Sequence, residues 1–95
     1  MIKRIVKLKI KEEYISDFVI LFNQIKPEII KFQGCLSVEL LNDIHTKTIF
    51  FTYSLWETEH DLNYYRNSKY FNSVWKEVKL LFSERAMAWS VEEIL

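Results

Sequence analysis

Hydrophobic side chains recur along the chain at two different spacings. Residues 1–11 largely alternate between apolar and charged side chains, which predicts a β-strand with one face made of Ile2, Arg4, Val6, Leu8 and Ile10 and the other of four lysines and Ile5. Residues 12–32 carry apolar side chains at steps of three and four, which predicts a helix. Pro27 lies inside this helix, so we expect a kink or a split there. Gly34, the only glycine, follows the run and predicts its stop.

The middle of the chain has the pattern of a β-hairpin. Residues 35–41 and 48–56 are rich in strand-forming side chains. The polar residues 42–47 between them begin with Asn and Asp, which favour a turn. This arrangement predicts two antiparallel strands joined by a short connection.

Two helix starts and a last strand complete the pattern. Thr58 is followed three residues later by Asp61, as in a weak capping box. The Asn-Ser pair at 67–68 interrupts that helix, and the serine can cap a second one with a clear apolar stripe. Residues 86–91 alternate again and predict a fourth strand.

The predicted order is strand, helix, strand, strand, helix, strand. This is the split βαβ pattern of a ferredoxin-like α+β domain with an antiparallel four-stranded sheet, and 95 residues allow one such domain, spanning 1–95. Right-handed crossovers place the first strand between the third and the fourth. We therefore expect the lysines of the first strand to attract Glu92 or Glu93 just beyond the fourth.

Both faces of the third predicted strand are apolar. We expect the two helices to cover the face that carries Phe50, Thr52, Ser54 and Trp56. The opposite face is also too apolar for solvent, and it is formed by Ile49, Phe51, Tyr53 and Leu55. A second copy packed sheet against sheet is the simplest cover, so the pattern predicts a homodimer.

Short side chains on the helix-facing side predict a hollow. Thr52 and Ser54 are small, so sheet and helices cannot close fully there, and an apolar gap of this kind suits a small molecule. The expected walls are Trp56, Phe50, Phe22, Phe71 and Trp75. The alternative is that the large helix side chains simply fill the gap.

Two charged or titratable residues are candidates for chemistry beside this gap. Arg4 shares the helix-facing side and can hold an anionic substrate, or else serve a structural role at the rim. His60 lies at a helix start close to Trp56 and can act as a general base near neutral pH, or else is simply solvated.

Composition excludes several classes of protein. Thirteen basic residues offset thirteen acidic ones, which argues against nucleic-acid binding and against a polybasic membrane-surface module. No apolar run approaches the length of a bilayer span. The single cysteine, Cys35, fits a reducing cytoplasm, and no spacing suggests a metal site.

Several segments in this order resemble the antibiotic biosynthesis monooxygenase (ABM) family. The strongest is the third strand ending in Trp-Glu and followed by a polar helix start. Among small members the chain is most similar to proteins described as quinol monooxygenases. The matching residues are Phe32-Gln33-Gly34-Cys35, Phe50 to Glu57, Leu62 to Ser68, Phe71 and Ala88-Trp89-Ser90.

The resemblance implies a dimeric α/β barrel and oxygenation of a quinol- or phenol-type aromatic with O₂, without metal or flavin. It places Trp56 at the family's pocket tryptophan. Thr52 stands where an anthrone-oxidising relative has Asn, and Leu62 stands where that relative has Tyr. Trp75 and Val6 stand where haem-degrading relatives have a ligand His and an Asn, which argues against haem degradation.

The candidate catalytic residues are therefore Trp56, Thr52 and His60. The candidate substrate-binding residues are Arg4, Phe22, Phe50, Ser54, Phe71 and Trp75. We expect no cofactor and no metal. Two alternatives use the same scaffold: a dimer that binds a small ligand without catalysis, and an isomerase or lyase that transfers protons without oxygen.

Overall fold

The computed structural model describes residues 1–95, which form four strands and three α-helices. A short 3₁₀ turn, Glu12–Tyr14, precedes the first helix. The strands are β1 (Ile2–Lys9), β2 (Cys35–Asn42), β3 (Ile49–Trp56) and β4 (Met87–Val91). The helices are α1 (Ile15–Ile30), α2 (Glu59–Arg66) and α3 (Lys69–Lys79).

The strands form one antiparallel sheet in the order β2-β3-β1-β4. The ferredoxin-like α+β prediction is confirmed, including the position of β1 between β3 and β4. The attraction across the sheet edge is also present, because Lys3 Nζ lies 3.0 Å from Glu93 Oε1. That pair is largely exposed, so it helps to set register more than it stabilises the fold.

The first helix contains Pro27, where the sequence predicts either a kink or a split. α1 continues through this proline to Ile30, so the expected split is wrong. Phe22 and Ile29, on either side of the proline, are buried in the same apolar cluster against the sheet. We infer that the packing of both halves offsets the backbone hydrogen bond that proline cannot donate.

Both predicted helix caps are present. Thr58 Oγ1 accepts a hydrogen bond from Asp61 N at 3.1 Å and donates one to Asp61 Oδ2 at 3.0 Å. Ser68 Oγ accepts from Phe71 N at 3.1 Å, which starts α3 directly after the end of α2. Each helix contributes one fully buried residue to the core, Leu62 from α2 and Val78 from α3.

Gly34 lies between α1 and β2 along the chain and packs against the start of α2. Its φ of 81° lies in the left-handed region, and a Cβ at this position would overlap the side chain of Asp61. Its carbonyl also accepts a hydrogen bond from Glu57 N at 2.8 Å. The end of α1 therefore lies directly against the α2 cap, and a side chain at residue 34 would separate them.

The core lies between the sheet and the helices, and all of its fully buried side chains are apolar. Two clusters make it up. One consists of Leu8, Ile10, Phe18, Phe50 and Val78. The other consists of Phe22, Ile29, Val38, Trp56 and Leu62. The prediction that the helices cover the Trp56 face of the sheet is confirmed.

No helix covers the opposite face of the sheet. Phe51 and Tyr53 are only half-buried there, while Met87 and Trp89 keep 53% and 43% of their surface exposed. Ile5 lies between Tyr53 and Trp89 in the register, so apolar side chains cross β3, β1 and β4 in one row, while Lys3 and Lys7 of β1 lie in the rows on either side of it. None of the helices has the length and apolarity needed to span a bilayer.

Candidate functional site

A cavity of about 320 Å³ lies between the helices and the sheet. Its floor comes from all four strands, its walls come from all three helices, and most of its lining residues are hydrophobic. This volume falls near the lower end of the roughly 300–1,000 Å³ that is typical of small-molecule sites. The predicted gap therefore exists and is not filled by the helix side chains.

The cavity opens where short side chains adjoin on neighbouring strands. In the register, Val6 of β1 lies between Thr52 of β3 and Ala88 of β4. Two residues earlier on β1, Arg4 lies between Ser54 and Ser90. Small residues side by side leave a depression in the sheet that helix side chains packed on larger neighbours cannot reach.

A series of aromatic rings forms one wall. Tyr65 meets Phe71 edge to face at 5.2 Å between centroids, and Phe71 stacks on Trp75 at 5.7 Å with the rings 13° from parallel. All three line the cavity. Contacting rings hold one another in place, so this wall presents flat apolar surface to a ring-shaped ligand.

Trp56 and Phe50 do not line the cavity, so the prediction that they wall it is wrong. Trp56 is fully buried behind the lining, and it stacks on Tyr65 at 5.2 Å. Phe50 packs in the core against Phe18, with 5.1 Å between ring centroids. Both residues lie on the predicted face of the sheet, but other side chains line the hollow, among them Ser54 and Tyr65, which contact Trp56.

Trp56 reaches the cavity through Ser54. Its Nε1 donates a hydrogen bond to Ser54 Oγ at 2.9 Å, and Ser54 is a lining residue. A serine hydroxyl that accepts this bond still has its own hydrogen to donate. The indole thereby fixes the position of a hydroxyl donor at the cavity floor.

His60 lies outside the cavity. It is exposed in the first turn of α2, where it borders a separate surface depression together with Phe32 and Tyr70. A base at this position has no direct contact with a ligand in the hollow. The cavity therefore brings together Thr52, Arg4, Phe22, Ser54, Phe71 and Trp75 among the predicted site residues.

The charged groups in the lining are two arginines, Arg4 and Arg66. Arg4 Nη1 donates to Ser90 Oγ at 3.0 Å. Burial lowers the pKa of Arg4, and repulsion from the positive charge of Arg66 lowers the pKa further. An arginine stays protonated near neutral pH even so, because its usual pKa lies far above that range.

Two polar lining residues, Arg66 and Tyr65, were missed at the level of sequence. The signal for Arg66 is its spacing, since it follows the buried Leu62 by one helical turn and shares its face. Burial raises the pKa of the Tyr65 phenol strongly, with smaller contributions from Tyr70 and Cys35. That phenol therefore stays protonated at neutral pH.

The lining chemistry favours negative charge on a ligand. Its polar groups are arginines, hydroxyls and a protonated phenol, and it contains neither a carboxylate nor an imidazole. Such a site can stabilise an oxyanion, but it supplies no proton acceptor of its own.

No group of three or more His, Cys, Asp or Glu side chains is placed to hold a metal ion. Elsewhere in the chain, burial raises the pKa of the half-buried Cys35 thiol.

Solved structures share this fold closely. A crystal structure of an antibiotic biosynthesis monooxygenase superposes with a TM-score of 0.90, at 17% identity and with 100% of each chain covered. A conserved protein from Methanosarcina mazei superposes with a TM-score of 0.91, at 17% identity, over 97% of this chain and 91% of the other. At these identities the likeness establishes the fold alone.

A third structure comes from Bordetella bronchiseptica and is assigned to the antibiotic biosynthesis monooxygenases. It has a TM-score of 0.89 at 23% identity, covering 99% of this chain and 97% of the other. No curated protein matches the chain. The sequence profile of the antibiotic biosynthesis monooxygenases, however, matches residues 1–76, which is most of the chain. The chain therefore belongs to the antibiotic biosynthesis monooxygenase family.

Proposed function

We propose that the protein is a monooxygenase that acts on a quinol- or phenol-type aromatic molecule with O₂, without a metal or organic cofactor. The observation that carries this proposal is the aromatic-walled cavity, in which hydroxyl donors and a half-buried arginine meet apolar surface. Family membership supports the same reaction type.

The reaction needs an electron-rich anion of the substrate. Ser54, fixed by Trp56, and Thr52 can donate hydrogen bonds to a developing oxyanion, and Arg4 adds positive charge on the same floor. These groups favour the phenolate over the phenol, so they lower the pKa of the bound substrate. Because no base lines the cavity, the substrate proton passes to solvent.

Oxygen then reacts with the substrate anion, which supplies the electrons. One oxygen atom forms the new carbon–oxygen bond, and the other leaves as water, which takes up two protons from solvent in place of the two hydrogens that the substrate loses overall. The apolar walls keep other water from the reactive anion. Trp56 acts through Ser54 and is a positioning residue in this scheme.

We also propose that the protein works as a homodimer, as a dimeric α/β barrel, joined through the uncovered sheet face. The exposed apolar side chains of β4 and the half-buried ones of β3 support this proposal, since solvent contact with such a surface is unfavourable. Its sheet-against-sheet geometry matches the two-layer packing of β-proteins. A cytoplasmic location is part of the proposal and is consistent with a lone cysteine in no disulfide.

Oxygenation is tested with menadiol that has been reduced under anaerobic conditions and then mixed with ¹⁸O₂. Monooxygenation yields a hydroxyquinone that carries one ¹⁸O atom, whereas spontaneous oxidation yields unlabelled menadione. We expect the labelled product to depend on the protein and to fall in Thr52→Val. A product distribution equal to that of the protein-free reaction, across menadiol and a set of simpler phenols, contradicts the proposal.

A second function, ligand binding without catalysis, is favoured by one observation: no proton acceptor lines the cavity. It predicts saturable binding of quinols and quinones alike with no uptake of oxygen. The isomerase or lyase alternative needs a base that contacts the ligand, so the same observation argues against it. Binding measured under nitrogen, compared with ¹⁸O incorporation in air, separates the first two functions.

A further inference from the structure

Two arginines line one apolar cavity without any acidic partner. All four ion pairs in the structure are formed by lysines, and they lie away from the hollow. Arg4 is bonded to a neutral hydroxyl of Ser90, and Arg66 forms no ion pair. The cavity therefore contains two positive charges that the chain does not neutralise.

This arrangement is unfavourable for the protein by itself. Arg4 is half-buried and Arg66 repels it, and both effects act against its charged form. Proteins commonly offset a buried charge with a partner of opposite sign. Here a negatively charged group of a ligand would offset the free-energy cost of both the desolvation of Arg4 and its repulsion from Arg66.

The position of Arg66 on its helix explains only one of the two uncompensated positive charges. Arg66 lies in the last turn of α2, where a cation interacts favourably with the helix dipole. That interaction accounts for a basic residue at the surface. It does not account for Arg4, which lies on the sheet floor of the same cavity with its charge uncompensated.

We propose that the natural ligand carries a carboxylate that binds between Arg4 and Arg66, with its aromatic rings against Phe71 and Trp75. The inference rests on the proposed function for the reaction that follows, and it adds the substrate class: aromatic acids. A planar guanidinium matches a carboxylate with paired hydrogen bonds, and two of them can hold both oxygens. Arg66 is exposed, so the carboxylate would bind at the solvent side of the cavity.

The test uses redox-inert probes, so that binding is measured without any reaction. 2-Naphthoate and the neutral 2-naphthamide have nearly the same shape, and they differ in charge. Each is titrated into the ¹⁵N-labelled protein, and the backbone amide shifts of Thr52 and Ala88, both in the cavity lining, report binding there. We expect the acid to bind at least about tenfold more tightly, as one charge-assisted hydrogen bond implies.

Three variants assign that preference to the arginines. Arg66→Gln is expected to reduce the acid-to-amide ratio about tenfold, and Arg4→Gln is expected to reduce it similarly, while amide binding is retained. Arg66→Lys should keep part of the preference because it keeps the charge. Arg85→Gln is the matched control, since Arg85 is an exposed arginine outside the cavity lining.

Several results would overturn the inference. One is equal affinity for 2-naphthoate and 2-naphthamide. Another is an affinity ratio between the two probes that is unchanged in both glutamine variants. A third is the absence of chemical-shift changes at the backbone amides of the cavity lining with either probe. Failure of the proposed oxygenation is a different result, because binding is measured without it. If the protein prefers the acid but incorporates no ¹⁸O into any substrate, the proposed oxygenation is wrong and the proposed carboxylate site still stands.

Discussion

Replacement of Trp56 by phenylalanine separates a packing role from a positioning role. In the structure the indole is fully buried, stacks on Tyr65 and donates a hydrogen bond to Ser54. Phenylalanine keeps a ring in the core, but it loses the N–H and leaves part of the indole volume empty. The change therefore removes two interactions of different kinds.

The expected loss of stability is about 2–3 kcal/mol. About 1 kcal/mol comes from the lost hydrogen bond. The cavity adds about 1–2 kcal/mol, because only part of the side chain is removed and complete truncation of a core Trp or Phe costs about 3–5 kcal/mol. Trp75→Phe is the matched control: Trp75 is half-buried, its indole makes no hydrogen bond, and we expect a loss of about 1 kcal/mol or less.

Urea unfolding followed by circular dichroism measures these values, with all variants at one protein concentration because association adds to stability. Ser54→Ala and the double variant complete a thermodynamic cycle with Trp56→Phe. We expect a coupling energy of about 1 kcal/mol between the two residues. In the ¹⁸O assay the two single variants should lower turnover to a similar extent, and the double variant should lower it little further.

The reasoning is refuted if the Trp56 variant is no less stable than the Trp75 variant, or if the coupling energy is near zero. A null coupling would mean that the Trp56–Ser54 hydrogen bond does not hold the hydroxyl. Additive losses of turnover would likewise show that Trp56 contributes to the reaction by a route other than Ser54.

Other changes test separate parts of the structure. Gly34→Ala should cost about 2–3 kcal/mol of unfolding free energy in urea, because it adds left-handed strain and displaces the α2 cap at Asp61; an unchanged midpoint would contradict the close approach. Phe51→Glu should convert the proposed dimer to a monomer, as measured by light scattering. Glu57→Gln, a substitution at an exposed residue, is the control, and a monomeric wild-type protein would contradict the dimer. Burial raises the pKa of Cys35, so its thiol should react with a disulfide reagent more slowly than a free cysteine at pH 8, and faster as pH rises; an equal rate would contradict its burial.

The order of elements follows from local patterns that the sequence displays directly. Alternation in residues 1–11 and strand-forming side chains in residues 48–56 indicate strands, and the caps at Thr58 and Ser68 indicate where helices begin. These signals depend on neighbours within a few residues, which is why they are readable from the chain. The strand order then follows from general rules of handedness.

The composition of the cavity depends on contacts that local patterns do not contain. Alternation puts Trp56 on the helix-facing side, but it does not reveal that Ser54 and Tyr65 separate Trp56 from the hollow. Proximity in sequence suggested His60 as a base, yet its turn of α2 faces a different depression. Pro27 likewise signals a break that the packing on both sides of it overrides.

Periodicity along a single element thus determined the strands, the helices and the side of the sheet on which each residue lies. Only the tertiary structure decided which side chains meet across the hollow, because the depth of a side chain depends on the sizes of its neighbours on adjacent strands. The phase of α2 against the sheet is set in the same way. That phase brings Arg66 over the floor that holds Arg4 and leaves His60 outside.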